Sequence, residues 1–331
     1  MYLLEFAGED DRFAAAEAGA AAPDASVLGP GVGAAAAVDA DRARSLAFTR
    51  RVDLRVASSE AAVEAARTAL SAAALDRSGS VAVRARDVRG TTGVDTRAAE
   101  RALGDVLVDR GYAVDLEDPD HELRALFAGE RCHLGWLHAV GVRGYGARRP
   151  TDRPFFQPGS MAPQLARALV NLARAAPGER LLDPMCGTGG VLIEAGLVGA
   201  RPLGLDAQRK MVRGTRENLR AFLDGDWAVG RGDATRLPVR DGGVDAVVFD
   251  APYGRQSKVA NHLLPDLVGS ALAEARRVAA RAVVVADRRL DRAAADAGWR
   301  VDAAFDRPVH RSLTRHVHVL APADDAPGPV G

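Results

Sequence analysis

Asp183-Pro-Met-Cys-Gly187-Thr-Gly189-Gly190 joins an apolar run, Arg180-Leu-Leu-Asp183, to a second one that begins at Val191. The order reads as a strand, a glycine-rich turn and a helix over 191–198. Glycines at such a turn let the backbone approach a ligand closely at the carboxyl edge of a sheet. Working outward, helix 163–174 precedes the strand. Strand 202–206, helix 208–222, strand 227–232, strand 244–249, helix 261–279 and strand 282–286 follow. After a further helix, apolar segments 299–305 and 312–320 close the pattern. The alternation predicts an α/β fold with a mostly parallel, doubly wound sheet, and the last two segments should pair antiparallel because no helix separates them.

The chemistry of the turn narrows the ligand. A dinucleotide fingerprint needs G-x-G-x-x-G to seat a pyrophosphate. Counted from Gly187, the third glycine would fall on Leu192, and the turn opens with a carboxylate, Asp183. An acid there meets a cation better than a phosphate. S-adenosylmethionine carries an ammonium and a sulfonium and no phosphate, so charge favours it over a nicotinamide cofactor. Asp206, 23 residues on, ends the second strand and suits the ribose hydroxyls. Asp233-Ala234 follows the third strand, where the acid can meet an adenine amino group. Each acid alone could equally be a helix cap; three on consecutive strands beside a glycine turn point to a nucleoside.

The fourth strand ends in Asp250-Ala251-Pro252-Tyr253-Gly254. The exocyclic amine of a base is a poor nucleophile because its lone pair is delocalised into the ring. Hydrogen bonds from its protons to Asp250 and to a backbone carbonyl localise that pair, and Tyr253 can stack on the base. The expected reaction is methyl transfer to a flipped base with no covalent intermediate. Pyrimidine carbon-5 chemistry would want a cysteine where Tyr253 stands. Cys186 reads as a small residue lining the turn and Cys132 as core. His310, His316 and His318 alternate without an acid or cysteine pattern, so no metal site is expected.

Composition sets the wider frame. The 331 residues carry 44 basic and 44 acidic groups and are 47% apolar, enough for two or three packed domains. Residues 1–150 sum to −4 and residues 151–331 to +4. Nucleic acid is gripped by local patches rather than by the total, so this neither requires nor forbids a polyanion. No uncharged apolar run reaches 18 residues and the N-terminus has no basic leader. Two lone cysteines make no disulfide framework. A cytoplasmic setting without membrane association is expected.

Upstream, the pattern is α+β. Strands are expected at 2–7, 52–57, 81–86, 112–116 and 132–140, and helices at 60–75, with Ser58 and Ser59 as caps, and at 96–110, stopped by Gly111. Val81-Ala-Val-Arg-Ala-Arg86 alternates, with Arg84 and Arg86 on one face. Residues 141–156, GVRGYGARRPTDRPFF, form a basic stretch that reads either as a solvated hinge or as a phosphate contact. Candidate phosphate contacts are Arg84, Arg86, Arg143, Arg148 and Arg149.

With these residues in hand, the chain resembles class I S-adenosylmethionine-dependent methyltransferases. More narrowly, it resembles the archaeal and eukaryotic family that methylates the N2 amine of guanine 10 of tRNA. The 183–190 turn is similar to that family's cofactor turn, and Asp250-Ala-Pro-Tyr253-Gly254 to its Asp-Pro-Pro-Tyr motif, with Ala251 replacing the first proline. Arg153-Pro-Phe-Phe-Gln-Pro-Gly-Ser-Met161 resembles the segment that closes over the cofactor's methionine end, and His310–Arg315 its C-terminal hairpin. Residues 81–86, Asp95-Thr96, Leu103-Gly104 and 111–120 look like a THUMP domain, an RNA-binding module that grips the tRNA acceptor end.

The resemblance implies a small ferredoxin-like domain over 1–45, a THUMP-like domain over 46–141, a linker over 142–162, a Rossmann-like seven-stranded methyltransferase domain over 163–320 and a tail over 321–331. It implies that S-adenosylmethionine is held by Gln157, Gly159, Ser160, Asp183, Pro184, Cys186, Gly187, Gly189, Asp206, Asp233 and Ala234, with Asp250, Pro252 and Tyr253 catalytic. It further implies tRNA as partner, one or two methyl transfers per guanine and, in some relatives, a small zinc-containing activator protein. The competing readings are N2-guanine methylation at another tRNA position or in ribosomal RNA, adenine N6 methylation, a nicotinamide oxidoreductase, and a non-catalytic RNA-binding scaffold.

Overall fold

The computed structural model describes residues 1–252, 264–310 and 313–323. The chain divides into two compact units, Met1–Arg143 and Gly144–Gly331. Among the described residues each unit is built on one sheet.

The first unit contains β1 (Tyr2–Phe6), β2 (Ser26–Gly29), β3 (Val32–Ala35), β4 (Thr49–Glu60), β5 (Ser80–Asp87), β6 (Ala113–Val114), β7 (His121–Ala128) and β8 (Arg131–Val140). Their spatial order is β2-β3-β1-β4-β8-β7-β5-β6. Because β1 pairs with both β3 and β4, residues on either side of position 45 share the sheet. Helices α1 (Asp11–Ala18) and α2 (Ala40–Arg44) belong to its first half. Helices α3 (Val63–Ala72) and α4 (Thr96–Asp109) bury Ala66, Leu70, Leu103 and Leu107 against Val81, Val83, Leu123, Phe127 and Trp136. Asp95 caps α4 by accepting from the amides of Arg97 and Ala98, and Gly111 follows its end at φ +89°.

One expectation is corrected. The helix read at 60–75 starts only at Val63, and Ser58 and Ser59 are not its caps. They lie in β4, opposite His133 and Cys132 of β8, and the Ser58 hydroxyl bonds the His133 ring at 2.9 Å. A long partner strand kept the ladder going past the polar pair. Strand β7 has no counterpart among the expected strands, because its charged start, His121-Glu122, masks a run that is buried from Leu123 to Ala128.

The face of this sheet turned away from α3 and α4 is charged. Arg124 of β7 is buried and donates to Glu5 of β1 at 2.6 Å, while Arg86 approaches the same carboxylate at 2.8 Å. Asp53 lies fully buried nearby, with neither carboxylate oxygen hydrogen-bonded. Burial raises its pKa from 3.8 to about 7, against the opposing charge of Arg124.

The second unit contains α5 (Pro163–Leu172), β9 (Arg180–Asp183), α6 (Gly190–Leu197), β10 (Arg201–Asp206), α7 (Arg209–Phe222), β11 (Ala228–Arg231), β12 (Ala246–Asp250), α8 (Leu264–Val278), β13 (Ala282–Ala286), α9 (Asp291–Asp296), β14 (Trp299–His310) and β15 (Leu313–Pro322). The order β11-β10-β9-β12-β13-β15-β14 makes the predicted seven-stranded sheet. Strands β9 to β13 pair parallel, and β15 pairs antiparallel with both β13 and β14, as expected for the last two segments. Continuous apolar strands such as Ala246-Val-Val-Phe249 are buried on both faces, as a helix-covered parallel sheet requires. The chain order reverses at β9, with β10 on one side and β12 on the other, which opens a crevice outside their carboxyl ends.

The Asp53 carboxyl gives a test of the first unit. The folded chain keeps its proton to about pH 7, whereas an unfolded aspartate releases it near 3.8. The neutral form's contribution is therefore full below about 3.8 and lost as pH climbs to about 7. Asp53→Asn should raise the thermal midpoint over the parent chain more at pH 8 than at pH 5. An equal difference at both pH values would contradict the burial argument.

Candidate active site

The crevice at the switch point is lined by three strand-end acids. Asp183 ends β9, Asp206 ends β10 and Asp250 ends β12. Asp183 is 3% exposed and accepts from the Met185 amide at 3.1 Å. Asp206 folds one oxygen onto the Gly187 amide at 3.1 Å and the other onto the Gln208 amide at 2.8 Å. That pair ties the glycine turn to the head of α7. Burial drives the Asp183 carboxyl well above the usual range, and the charges of Asp206 and Asp250 push it further. Burial also raises Asp206, against the two amide hydrogen bonds. A buried carboxyl with two further acids beside it favours a cationic ligand.

The turn itself is shaped for close approach. Gly187 and Gly189 have φ of +52° and +78°. A Cβ on Gly189 would stand 2.7 Å from Thr215 Cγ2, so the position admits only glycine without a shift of α7. The Thr215 hydroxyl donates to the Gly187 carbonyl at 2.6 Å. Pro184 begins the turn, and Cys186 is buried under it, 3.9 Å from the Thr215 hydroxyl. Burial first, and then the charges of Asp183 and Asp206, hold the Cys186 thiol far above its ordinary pKa. It stays protonated and is no nucleophile.

The 153–161 stretch reaches the same turn. The Ser160 and Thr188 hydroxyls are 3.0 Å apart, and Ser160 donates to the Gln157 carbonyl. Asn218 of α7 binds both partners: its amide donates to the Phe155 and Thr188 carbonyls and its oxygen accepts from the Phe155 amide. The Phe155 ring lies directly on the α7 backbone at Gly214, where a side chain would collide with it. Gly159 offers its carbonyl to Arg315 at 3.1 Å.

The Arg315 guanidinium is also 3.7 Å from Asp250. It is 6% exposed, on β15, and links the 153–161 stretch to the fourth-strand acid. Sequence reading did not single out Arg315, Thr215 or Asn218.

Of the remaining predicted residues, Ala251 and Pro252 follow Asp250, and Ala251 is anchored by its amide to the Val285 carbonyl at 2.8 Å. Tyr253 lies outside the described residues. Asp233 is exposed and accepts from the Thr235 amide and hydroxyl, with Ala234 buried beside it. The candidate RNA arginines differ from one another. Arg84 donates to the Leu116 carbonyl, Arg86 pairs with Glu5, Arg143 donates to the Ala47 carbonyl and Arg148 pairs with buried Glu194. Arg149 is exposed. Among the histidines, His316 pairs with Asp306, and the His318 ring accepts from the Leu290 amide.

The donor set fits S-adenosylmethionine: buried acids for a cationic ligand, a strand-end acid at ribose position and an open, side-chain-free turn above Gly187.

Comparison with known proteins agrees. Residues 150–316 match the family model of the RMKL-like methyltransferase domain. The tRNA (guanine(10)-N2)-dimethyltransferase of Methanothermobacter thermautotrophicus is 40% identical over 247 residues, 73% of each chain. The chain belongs to that family. Its members from Pyrococcus abyssi and Methanocaldococcus jannaschii are 31% and 32% identical, covering 73% and 74% of this chain and 74% and 71% of their own. A putative methyltransferase solved with SAH, SMU.472, shares the fold at a TM-score of 0.53 and 15% identity, covering 96% of this chain and 97% of its own. A possible methylase from Clostridium difficile 630 shares it at 0.51 and 14%, covering 98% and 99%.

Family membership places weight on the turn. Gly189→Ala should weaken S-adenosylmethionine binding by about tenfold or more, roughly 1.4 kcal/mol, measured by calorimetry. Unchanged affinity would show that the turn does not touch the ligand.

Proposed function

We propose that the chain methylates the exocyclic N2 amine of guanine 10 in tRNA, using S-adenosylmethionine. The observation that carries this reading is the position of Asp250, one strand over from Asp183 and close enough to raise its pKa. An amine-binding acid thus borders a cation-binding crevice, in a chain 40% identical to a tRNA (guanine(10)-N2)-dimethyltransferase.

In this reading Asp183, Pro184, Cys186, Gly187, Gly189, Asp206, Asp233 and Ala234 hold the cofactor, and Gln157, Gly159 and Ser160 flank its methionine end. When bound, it supplies an electrophilic methyl group on a sulfonium. Asp250 accepts a hydrogen bond from the guanine amine, which draws the lone pair back onto nitrogen and aims it into the crevice. As the nitrogen gains its methyl, the displaced proton passes to the Asp250 carboxylate and then to water. Arg315 keeps that carboxylate in place. The Pro252 ring stiffens the loop behind it, and Tyr253 stacks on the base, which must leave its helix to enter. A monomethylated guanine amine still has one proton to offer Asp250, so the same arrangement serves a second transfer. Residues 1–143 dock the RNA, and the reaction takes place in the cytoplasm.

Nucleoside mass spectrometry of an unmodified tRNA transcript incubated with the chain and S-adenosylmethionine tests this. N2-methylated guanosine should appear in the fragment that contains position 10. Methylation of adenine, or none, would refute the reading. Asp250→Asn should lower turnover at least 100-fold while leaving SAH affinity within a few-fold. Near-normal turnover would remove Asp250 from the chemistry.

A further inference from the structure

Strand β9 has two ends, and the crevice uses only the carboxyl one. At the amino end, Arg180, the first residue of β9, sits in register beside Arg201, the first residue of β10. Both guanidiniums are on exposed residues, and the parallel ladder holds the two strands about 4.8 Å apart. Arg240, also exposed, joins them from the loop before β12. The three arginines and Trp227 line a cavity of about 440 Å³, with Pro202 and Pro238 among the other walls. Among the described residues the only ion pair to these arginines is a loose one, Arg201 to exposed Asp226 at 3.6 Å. Asp245 also stands here, taking the Arg180 amide.

Trp227 is unlike the other two tryptophans. Trp136 and Trp299 are each 1% exposed, in the cores of their units. Trp227 is partly exposed and faces the cavity instead. Side-by-side arginines repel one another and favour an anion between them. An indole beside them offers a stacking surface. The volume lies in the range of small-ligand pockets. A phosphate joined to a planar base satisfies all three features.

We propose that this cavity binds one nucleotide of single-stranded RNA, its base stacked on Trp227 and its phosphate held by Arg180 and Arg201. It is a second RNA contact, apart from the site that receives the target base: Asp183 lies three residues along β9 from Arg180, roughly 10 Å away on the opposite edge of the sheet. The proposal rests on RNA being the substrate. An acidic peptide would satisfy the arginines but leave the indole unused.

The buried state of the other tryptophans makes Trp227 the reporter. The full chain is titrated with a mixed-sequence pentaribonucleotide while tryptophan fluorescence is followed, and SAH affinity is measured in parallel by calorimetry. We expect saturable quenching that weakens steeply with salt. Trp227→Leu should abolish the quenching and lower affinity by at least fivefold. Arg180→Gln should lower affinity by at least threefold with quenching at saturation retained. Both variants should bind SAH like the parent. Absence of quenching in a parent chain that binds SAH would overturn the nucleotide site while leaving the methyltransferase reading standing. Equal pentanucleotide affinity in parent and variants, or equal quenching by poly-aspartate, would also overturn it.

Discussion

The burial of strand-end carboxylates governs the second unit. Asp183, Asp206 and Asp250 end three strands of a parallel sheet, so the fold itself delivers them to one crevice. Burial makes the charges of Asp183 and Asp206 costly, and the nearby Asp206 and Asp250 make that of Asp183 costlier still. Amides of the turn and of α7 offset part of this at Asp206. A cationic ligand offsets the rest. The constraint thereby selects against phosphates and for a sulfonium, and it explains why a glycine turn that superficially suits a dinucleotide serves a different cofactor.

A second layer holds the crevice in shape. Glu194 of α6 is fully buried and takes Arg148 at 2.8 Å and Arg167 at 2.9 Å. Arg153 donates to the Arg148 carbonyl and packs against Gly190. Together with Asn218 and Phe155, these contacts fasten residues 144–162 onto the helices that follow the turn. Removing one member of a buried ion cluster leaves its partners uncompensated. Residues distant from the ligand therefore control where Gln157, Gly159 and Ser160 stand.

Much of this was legible in the sequence because two of its signals are strong. The turn at 183–190 is punctuated by glycines, and apolar strands alternate with helices from 163 onward, so the parallel sheet and the strand-end acids followed. The antiparallel close was legible from the missing helix between the last two segments. Other parts were hidden for physical reasons. Ser58 and Ser59 look like caps locally, yet tertiary pairing with β8 draws them into a strand. The role of Arg315 depends on β15 lying beside β13, a contact made across the sheet that no local pattern reveals. Arg84, Arg86, Arg143 and Arg148 look solvent-facing in sequence, but each contacts an acid or carbonyl of its own unit. Alanine-rich stretches such as 60–75 carry little periodicity, which blurred the helix boundary there.

Asp183 and Asp206 hold their protons more tightly than a free aspartate does, so a cation that binds beside them displaces protons. Calorimetric titration with S-adenosylmethionine in two buffers of different ionisation enthalpy, at a pH between the ordinary aspartate range and neutrality, counts the protons exchanged on binding. Net proton release is expected, greater for S-adenosylmethionine than for its uncharged-sulfur product SAH, and diminished in Asp206→Asn. Binding with no proton exchange, or with proton uptake, would contradict it.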